Sequence, residues 1–176
     1  RSTPATEDFA LVGEAIRRNN LNGLLVIGGH RAYEAVWRLR VHRADHPGLQ
    51  VPLICLPASI DNNLPGWEMT IGADTALNVI VESVDALRQS ASASNRVFVV
   101  ETMGRNCGFL AAVAALSVGA EELYLNEEPP TLARLNQDVA TMVDSFRNGR
   151  RFHLAIRNEQ ASVGYTTAFL CQLFAE

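Results

Sequence analysis

Apolar runs that stop at polar, turn-forming loops and then resume as helices constrain this chain more than any other feature. The run Val51-Pro-Leu-Ile-Cys-Leu56 reads as a buried strand, and it runs into Pro57-Ala-Ser-Ile-Asp-Asn-Asn-Leu-Pro-Gly66. Ser, Asp and Asn side chains bond their own backbone and favour turns, and Pro65-Gly66 punctuates the chain, so neither strand nor helix continues there. An amphipathic segment then begins near Ile71. The same succession occurs twice more. Gly23-Leu-Leu-Val-Ile27 ends in Gly28-Gly29 before a helical stretch from His30 to Arg43, and Val97-Phe-Val-Val100 ends in Glu101-Thr-Met-Gly-Arg-Asn-Cys-Gly108 before an apolar helix, Phe109 to Val118. Alternating strands and helices imply right-handed crossovers and parallel sheet. The expected class is α/β, with Rossmann-like open, mostly parallel sheets and helices on both faces. Such sheets bind ligands beyond the carboxyl ends of their strands.

The remaining segments fit that plan. Thr6 or Asp8 can cap a first helix running to about Asn19, closed by Arg17-Arg18 at the negative end of its dipole. His42 to Gly48 reads as an exposed connection. His42 and His46 have the i, i+4 spacing of a metal pair, but Pro47 breaks the helix there and no acidic or cysteine partner is evident, so a solvated loop is the simpler reading. Ile71, Ala73, Leu77, Ile80, Val81, Val84 and Leu87 mark a long helix to about Ser90 with one buried stripe. Ser90-Ala-Ser-Ala-Ser-Asn95 reads as a small-residue linker leading to Arg96. A strand Ala120 to Leu125 precedes Glu127-Glu-Pro-Pro130, and Thr131 caps a helix to about Asn148. A strand Phe152 to Ile156 ends in Arg157-Asn-Glu-Gln160, and a helix Tyr165 to Phe174 comes after it.

Composition excludes several functions. In 176 residues the formal charge is −4, without long charged blocks, which argues against a general nucleic-acid or membrane surface. There is no lysine, so a lysine phosphate clamp and Schiff-base chemistry are both excluded and arginine forks are the strong anion ligands left. Cys55, Cys107 and Cys171 sit far apart in apolar segments and read as reduced core residues of a cytoplasmic protein, without metal spacing. Phe109 to Val118 is too short to span a bilayer. The chain opens on Arg1 rather than Met, and a piece of a longer polypeptide is expected.

Three loops carry candidate chemistry. Asp61 is the only acid in its loop, and it either acts in a site or helps cap the next helix. Gly28-Gly29 lets a phosphate or another backbone come close, although the residues after it lack the Lys and hydroxyl of a P-loop. Arg105, between two glycines at a helix start, is placed to hold a phosphate through its fork and nearby amides, against the plainer reading of a helix-entry residue. Glu159 adds an acid at another strand's carboxyl end.

Ile27-Gly-Gly, Pro57-Ala-Ser-Ile-Asp-Asn-Asn-Leu-Pro-Gly66, Ile71-Gly-Ala-Asp-Thr-Ala-Leu-Asn78 and Glu101-Thr-Met-Gly-Arg105 together resemble the ATP-dependent 6-phosphofructokinase family. The resemblance covers essentially the whole chain, in order. It is closest to the carboxy-terminal, regulatory-type half of the fused eukaryotic-type enzymes, on Ala32-Tyr33-Glu34, Ser90-Ala91-Ser92 before Arg96, Arg157-Asn158-Glu159 and Tyr165-Thr166-Thr167. It implies a partial phosphofructokinase-like fold. Residues 1–72 would belong to the nucleotide-side lobe and residues 73–176 would form most of the sugar-phosphate lobe. Asp61 matches the carboxylate that takes the proton from the sugar 1-hydroxyl as it attacks the γ-phosphate of ATP. Ser59 matches a hydroxyl contacting the sugar or the transferring phosphate. Met103, Gly104 and Arg105 match the loop that holds the sugar and the reaction's charge, and Glu159 the acid that binds sugar hydroxyls. Arg96 matches an arginine that reaches a neighbouring site across an interface.

Two departures bear on activity. Active halves of that family carry Gly-Gly-Asp-Gly-Ser, whose Asp handles magnesium, where this chain has Gly28-Gly-His-Arg-Ala32. The family's Ile-Asp-Asn-Asp is Ile60-Asp-Asn-Asn63 here. Magnesium prefers oxygen ligands, so His30 is a poor substitute. The nucleotide side of Gly28, Gly29 and His30 therefore looks degraded, and no metal ligand is assigned. The resemblance implies ATP and Mg2+ in the parent enzyme, with neither bound by this half. It further implies fructose 6-phosphate or a fructose bisphosphate as ligand, and the other half or further subunits of a homo-oligomer as partners. Two readings stay open: an enzyme segment with catalytic or regulatory sugar-phosphate contacts, and a non-catalytic sugar-phosphate-sensing module.

Overall fold

The computed structural model of the chain describes residues 8–91 and 96–175, so a cap from Thr6 and the linker residues 92–95 lie outside the described residues. The chain divides into two compact units. One holds the chain up to Ser59 together with Asn63–Ile71, and the other holds Ile60–Asn62 with the chain from Gly72 onward.

The first unit is built on a two-stranded parallel sheet. Helix α1 (Asp8–Arg18) precedes β1 (Leu24–Gly28), α2 (His30–His42), a short 3-10 turn (Pro47–Leu49) and β2 (Leu53–Pro57). β1 and β2 pair in register from Leu24 with Leu53 to Gly28 with Pro57. Phe9, Ile16, Leu39 and Leu49 form the core, against which Leu24 and Leu53 pack. The alternate residues face away: Leu25 and Ile27 are 59% exposed and Ile54 58%. The expectation of buried strands is corrected here. A period of two needs cover on both faces to bury every residue, and the described part of this unit covers one. The reading of His42 to Gly48 as an exposed connection holds for Arg43, Ala44, Asp45 and Pro47, while His42 and His46 are half-buried and Gly48 departs from it. Gly48 and Leu49 are buried, because a Cβ on Gly48 would lie 2.4 Å from the Gly13 carbonyl oxygen and only a bare backbone fits against α1. His42 stacks on Phe9 at 5.1 Å between ring centres, and His46 meets the same ring edge-on.

The second unit covers its sheet on both faces. Its elements are α3 (Ala73–Ala91), β3 (Arg96–Thr102), α4 (Phe109–Val118), β4 (Glu122–Tyr124), α5 (Leu132–Arg147), β5 (Phe152–Asn158) and α6 (Thr167–Leu173). The strands run in the order β3-β5-β4, all parallel. Val84, four small or branched residues of α4, Leu154 and Ile156 form one core layer, joined by Phe98 and Val100. Tyr124, Leu135, Met142, Ala155, Leu170 and Phe174 form the layer on the opposite face, joined by Val97 and Val99. Alternation along β3 thus feeds both layers. Thr131 caps α5 by accepting from the Arg134 amide, and Thr166 caps α6 by accepting from the Phe169 amide.

Some boundaries move. Ile71 lies before α3, in a bridge with Ala58, and Ser90 and Ala91 continue that helix rather than opening a linker. Strand β5 runs two residues past Ile156, because Glu101 and Thr102 of β3 supply partners for Arg157 and Asn158. The cysteines are free, but none is a core residue. Cys171 is exposed, and Cys55 and Cys107 are half-buried.

Candidate functional site

Parallel pairing decides which loops meet. In the first unit β1 and β2 end side by side, so Gly28-Gly29 and Ala58-Ser59 share one carboxyl edge, joined by the Ala58 amide donating to the Gly28 carbonyl at 3.0 Å. The Ser59 hydroxyl reaches Asn63 Oδ1 at 3.4 Å, and the Ser59 carbonyl accepts from Thr70 Oγ1 at 2.5 Å. Gly29 is the residue before α2, with no side-chain cap. Gly28 has a local reason to be there. A Cβ on it would sit 2.7 Å from Ala32 Cβ, whereas one on Gly29 would make only an ordinary contact with the Ala58 carbonyl oxygen at 3.5 Å. His30 and Arg31 at the helix start are exposed.

The second unit brings together more of the candidate residues. β3 and β5 end level, Thr102 opposite Asn158, so Met103-Gly104-Arg105 and Glu159-Gln160 leave the sheet as neighbours. The Glu159 amide donates to the Thr102 carbonyl at 2.9 Å, and Glu159 Oε1 accepts from the Arg105 amide at 2.8 Å. Arg105 Nε lies 3.9 Å from Asp61 Oδ2; the arginine side chain is 76% exposed and the aspartate side chain 14%. Met103, Arg105, Asn106, Glu159 and Gln160 line an open depression of about 510 Å³. An arginine fork beside two carboxylates, at an open depression, suits a polyhydroxylated anion. The carboxylates accept from hydroxyls and the guanidinium bonds a phosphate.

Backbone geometry builds this loop. Gly104 has φ +139°, and a Cβ there would lie 2.4 Å from the Cys107 carbonyl oxygen and 2.9 Å from Asn158 Nδ2. Arg105 is left-handed at φ +50°, a conformation that costs a non-glycine residue energy and persists where surrounding bonds fix it. Two of the amides near the Arg105 fork already have carboxylate partners. The Arg105 amide holds Glu159, and the Gly108 amide at the start of α4 donates to Glu127 Oε1 at 2.7 Å. The charge left open to a ligand is the guanidinium of Arg105.

Arg96 stands apart. It opens β3 at the amino end and is exposed, whereas Arg105 lies past the carboxyl end of the same seven-residue strand. At ~3.3 Å per residue that separates them by roughly 20 Å. Arg157 supports the carboxyl edge from within. Its buried guanidinium bonds Glu101 and the Thr167 hydroxyl, and donates to the Ser162 carbonyl at 3.2 Å. Neither the Arg157–Glu101 pair nor the reach of Asn158 to Cys107 is visible in sequence, because each joins residues about fifty or more positions apart. The one local signal is a run of polar residues, Arg157-Asn158-Glu159, directly after a buried strand. Among the described residues no three His, Cys, Asp or Glu side chains are grouped to hold a metal, and no helix is long and apolar enough to cross a membrane.

The profile of one family, Phosphofructokinase, matches residues 1–176. The mouse ATP-dependent 6-phosphofructokinase, platelet type, is 41% identical over 166 residues, which is 94% of this chain and 21% of that protein. ATP-dependent 6-phosphofructokinase 1 of Aspergillus oryzae is 40% identical across 100% of this chain and 23% of its own length. Among solved structures, Pichia pastoris phosphofructokinase in the T-state superposes with a TM-score of 0.92 at 37% identity, over 100% of this chain and 19% of that one. The chain therefore spans about a fifth of the length of these relatives.

Proposed function

Since this chain belongs to the phosphofructokinase family, we propose that it is a segment of an ATP-dependent 6-phosphofructokinase in which this half binds a fructose phosphate, as substrate or as allosteric effector. The parent enzyme would transfer a phosphoryl group from ATP, with Mg2+, to the 1-hydroxyl of fructose 6-phosphate in glycolysis. In this reading Asp61, Met103, Gly104, Arg105 and Glu159 receive the sugar phosphate, with Arg96 serving an adjoining site across an interface. Residues 1–72 are then the nucleotide-side lobe and residues 73–176 the sugar-phosphate lobe. The observation that carries the reading is the meeting of Asp61 and Glu159 at Arg105, within ion-pair and hydrogen-bond reach, beside one open depression.

The residues after β1 do not fit a magnesium nucleotide. His30 stands where an oxygen ligand is needed, Arg31 adds a side chain at the helix start, and Gly28 is accounted for by its packing against Ala32. In this reading the half itself carries out no phosphoryl transfer. The test uses the full-length parent with the other half's sites disabled. Fructose 6-phosphate and fructose 1,6-bisphosphate are titrated into wild type, Arg105→Ala and Glu159→Gln, and ATP is titrated with and without magnesium. Sugar-phosphate binding that weakens in both variants, without magnesium-dependent ATP binding, is the expected result. Micromolar MgATP binding at this half would overturn the non-catalytic assignment. Asp61 favours a second reading, a half that still turns over: its carboxylate remains beside Arg105, and turnover that vanishes with Asp61→Asn would establish it.

A further inference from the structure

Asn158 is none of the proposed ligand contacts, yet it touches both loops that form the depression. It is the last residue of β5 and is fully buried, 0% exposed. Its Nδ2 donates to the Cys107 carbonyl at 3.2 Å, and its Oδ1 accepts from the Gln160 amide at 2.9 Å. A carbonyl only accepts and an amide N–H only donates, so these two partners fix the orientation of the side-chain amide. Aspartate or leucine at this position could not make both bonds.

The two bonds bracket the residues of interest. Cys107 closes the turn Gly104–Cys107, its amide donating to the Gly104 carbonyl at 2.9 Å, and Arg105 lies inside that turn at φ +50°. Gln160 comes directly after Glu159. Asn158 therefore ties the turn carrying Arg105 to the turn carrying Glu159, beneath the bond between the Arg105 amide and the Glu159 carboxylate. Gly104 fits against the same side chain, since a Cβ there would come within 2.9 Å of Nδ2. Left-handed backbone at a non-glycine residue relaxes unless neighbouring bonds hold it. One side-chain amide here supplies a bond on each side of the pair.

We infer that Asn158 is a positioning residue that holds Arg105 and Glu159 in register for sugar-phosphate binding, an inference resting on the assignment of that pair as ligand contacts. It acts through the two loops and does not itself meet the ligand.

The test again uses the full-length parent with the other half's sites disabled, and compares Asn158→Ala, Asn158→Asp, Arg105→Ala, Glu159→Gln and a control, Leu135→Ala. Leu135 is a fully buried residue in the core layer between α5 and the sheet and does not line the depression. Two quantities are read for each: affinity for fructose 6-phosphate and fructose 1,6-bisphosphate, and amide hydrogen exchange over residues 103–108. Asn158→Ala is expected to speed exchange of that segment and to weaken sugar-phosphate binding by about tenfold, the scale of one or two lost hydrogen bonds. Asn158→Asp keeps the bond from the Gln160 amide but sets a carboxylate against the Cys107 carbonyl, so it should weaken binding too, and it serves if the alanine variant does not fold. Leu135→Ala should lower the unfolding temperature while leaving affinity and local exchange unchanged. If Arg105→Ala and Glu159→Gln weaken binding while the Asn158 variants behave like Leu135→Ala, the positioning role is overturned. If Arg105→Ala and Glu159→Gln leave binding intact, the ligand assignment falls instead. Exchange over residues 103–108 then still decides whether Asn158 holds the loop, and unchanged exchange overturns that as well.

Discussion

The two units share one plan, a parallel strand that opens into a polar loop and returns as a helix, but they bury it differently. In the first, Leu24 and Leu53 reach the core while Leu25, Ile27 and Ile54 stand more than half exposed on the other side of a two-stranded sheet. In the second, neighbouring residues of β3 and β5 divide between two closed layers, and Leu154, Ala155 and Ile156 are all 0% exposed. The difference lies in the number of covered faces, not in the strands, since β1 and β2 are the more apolar ones. It also sorts the ionisable groups. The second unit has enough interior to enclose a buried arginine, a buried histidine and a Tyr124 hydroxyl bonded to Asp138 at 2.9 Å. Among the described residues of the first, burial raises the Cys55 thiol above its ordinary value.

The largest effect should come from the cores themselves. Leu154→Ala removes a fully enclosed side chain and should cost about 2–5 kcal/mol. Ile54→Ala trims a side chain that is 58% exposed and should cost less than about 1 kcal/mol. Both tryptophans, Trp37 and Trp67, lie in the first unit. Their fluorescence tracks that unit during urea unfolding, while far-ultraviolet circular dichroism tracks the whole. An Ile54→Ala loss as large as that of Leu154→Ala would break the comparison, because it would mean that the outer face of β1 and β2 is covered in solution.

A smaller effect sharpens the comparison through pH. Glu122 on β4 lies 4.0 Å from His153 Nε2 on β5, and Glu121, Asp138, Arg134, Arg150 and Tyr124 surround them. Burial, then the Asp138 carboxylate, pushes Glu122 up to about 7 from an ordinary 4.5. Burial lowers His153 below its ordinary 6.5, opposed by Glu121 and Asp138 and reinforced by Arg150. A carboxyl raised in the folded state contributes stability that is present below its unfolded pKa and lost as pH rises through the folded one. For Glu122 that window runs from 4.5 to about 7. A histidine lowered in the folded state contributes stability that is present above 6.5 and lost as pH falls below it. The two slopes oppose each other. Glu122→Gln, which mimics the protonated carboxyl, should remove the first and uncover a loss toward acid. His153→Gln should uncover a loss of roughly 1–2 kcal/mol toward neutral pH once solvent screening is allowed for. Unfolding temperatures measured across the window test this, and variant curves parallel to wild type would remove the proton linkage from the second unit.

Local chemistry is legible in the sequence, and long-range cover is not. Thr131 and the α4 boundaries come from capping and composition, since each depends on residues within a turn of one another. The strand–loop–helix order and the parallel sheets come from the hydropathy period. The step that fails is from an apolar run to a buried strand at Leu24–Gly28 and Leu53–Pro57, because burial depends on what packs against the second face. The fit of Gly48 against Gly13 is hidden for the same reason, as are the partners of Arg157 and Asn158. Asp61, Arg105 and Glu159 stand out singly, each as a polar residue past a strand end. That Arg105 and Glu159 come together depends on β3 and β5 being adjacent, and spacing alone does not reveal strand order.

The smallest effect on stability should come from the most conspicuous residue beside the depression. Asp61 and Arg105 approach to 3.9 Å, but the arginine side chain is 76% exposed, and ion pairs open to water contribute about 0–1 kcal/mol. Asp61→Asn keeps the shape and the hydrogen-bonding reach of the side chain while removing its charge, so the unfolding transition should move little. This contrasts with Leu154→Ala in the same unit and separates the residues that hold the fold from those that face a ligand. Ligand binding is where Asp61 should register. As a sugar ligand, its replacement by Asn should weaken fructose-phosphate affinity by about 1–2 kcal/mol at most, since a neutral hydrogen bond replaces a charged one. As a base, it would leave affinity nearly unchanged and cut turnover by roughly a hundredfold or more. Binding and turnover measured together, in the parent with its other half inactivated, distinguish the two, and the ligand role is the expected outcome. A large loss of stability from Asp61→Asn would contradict both roles and make the loop a structural element of the second unit.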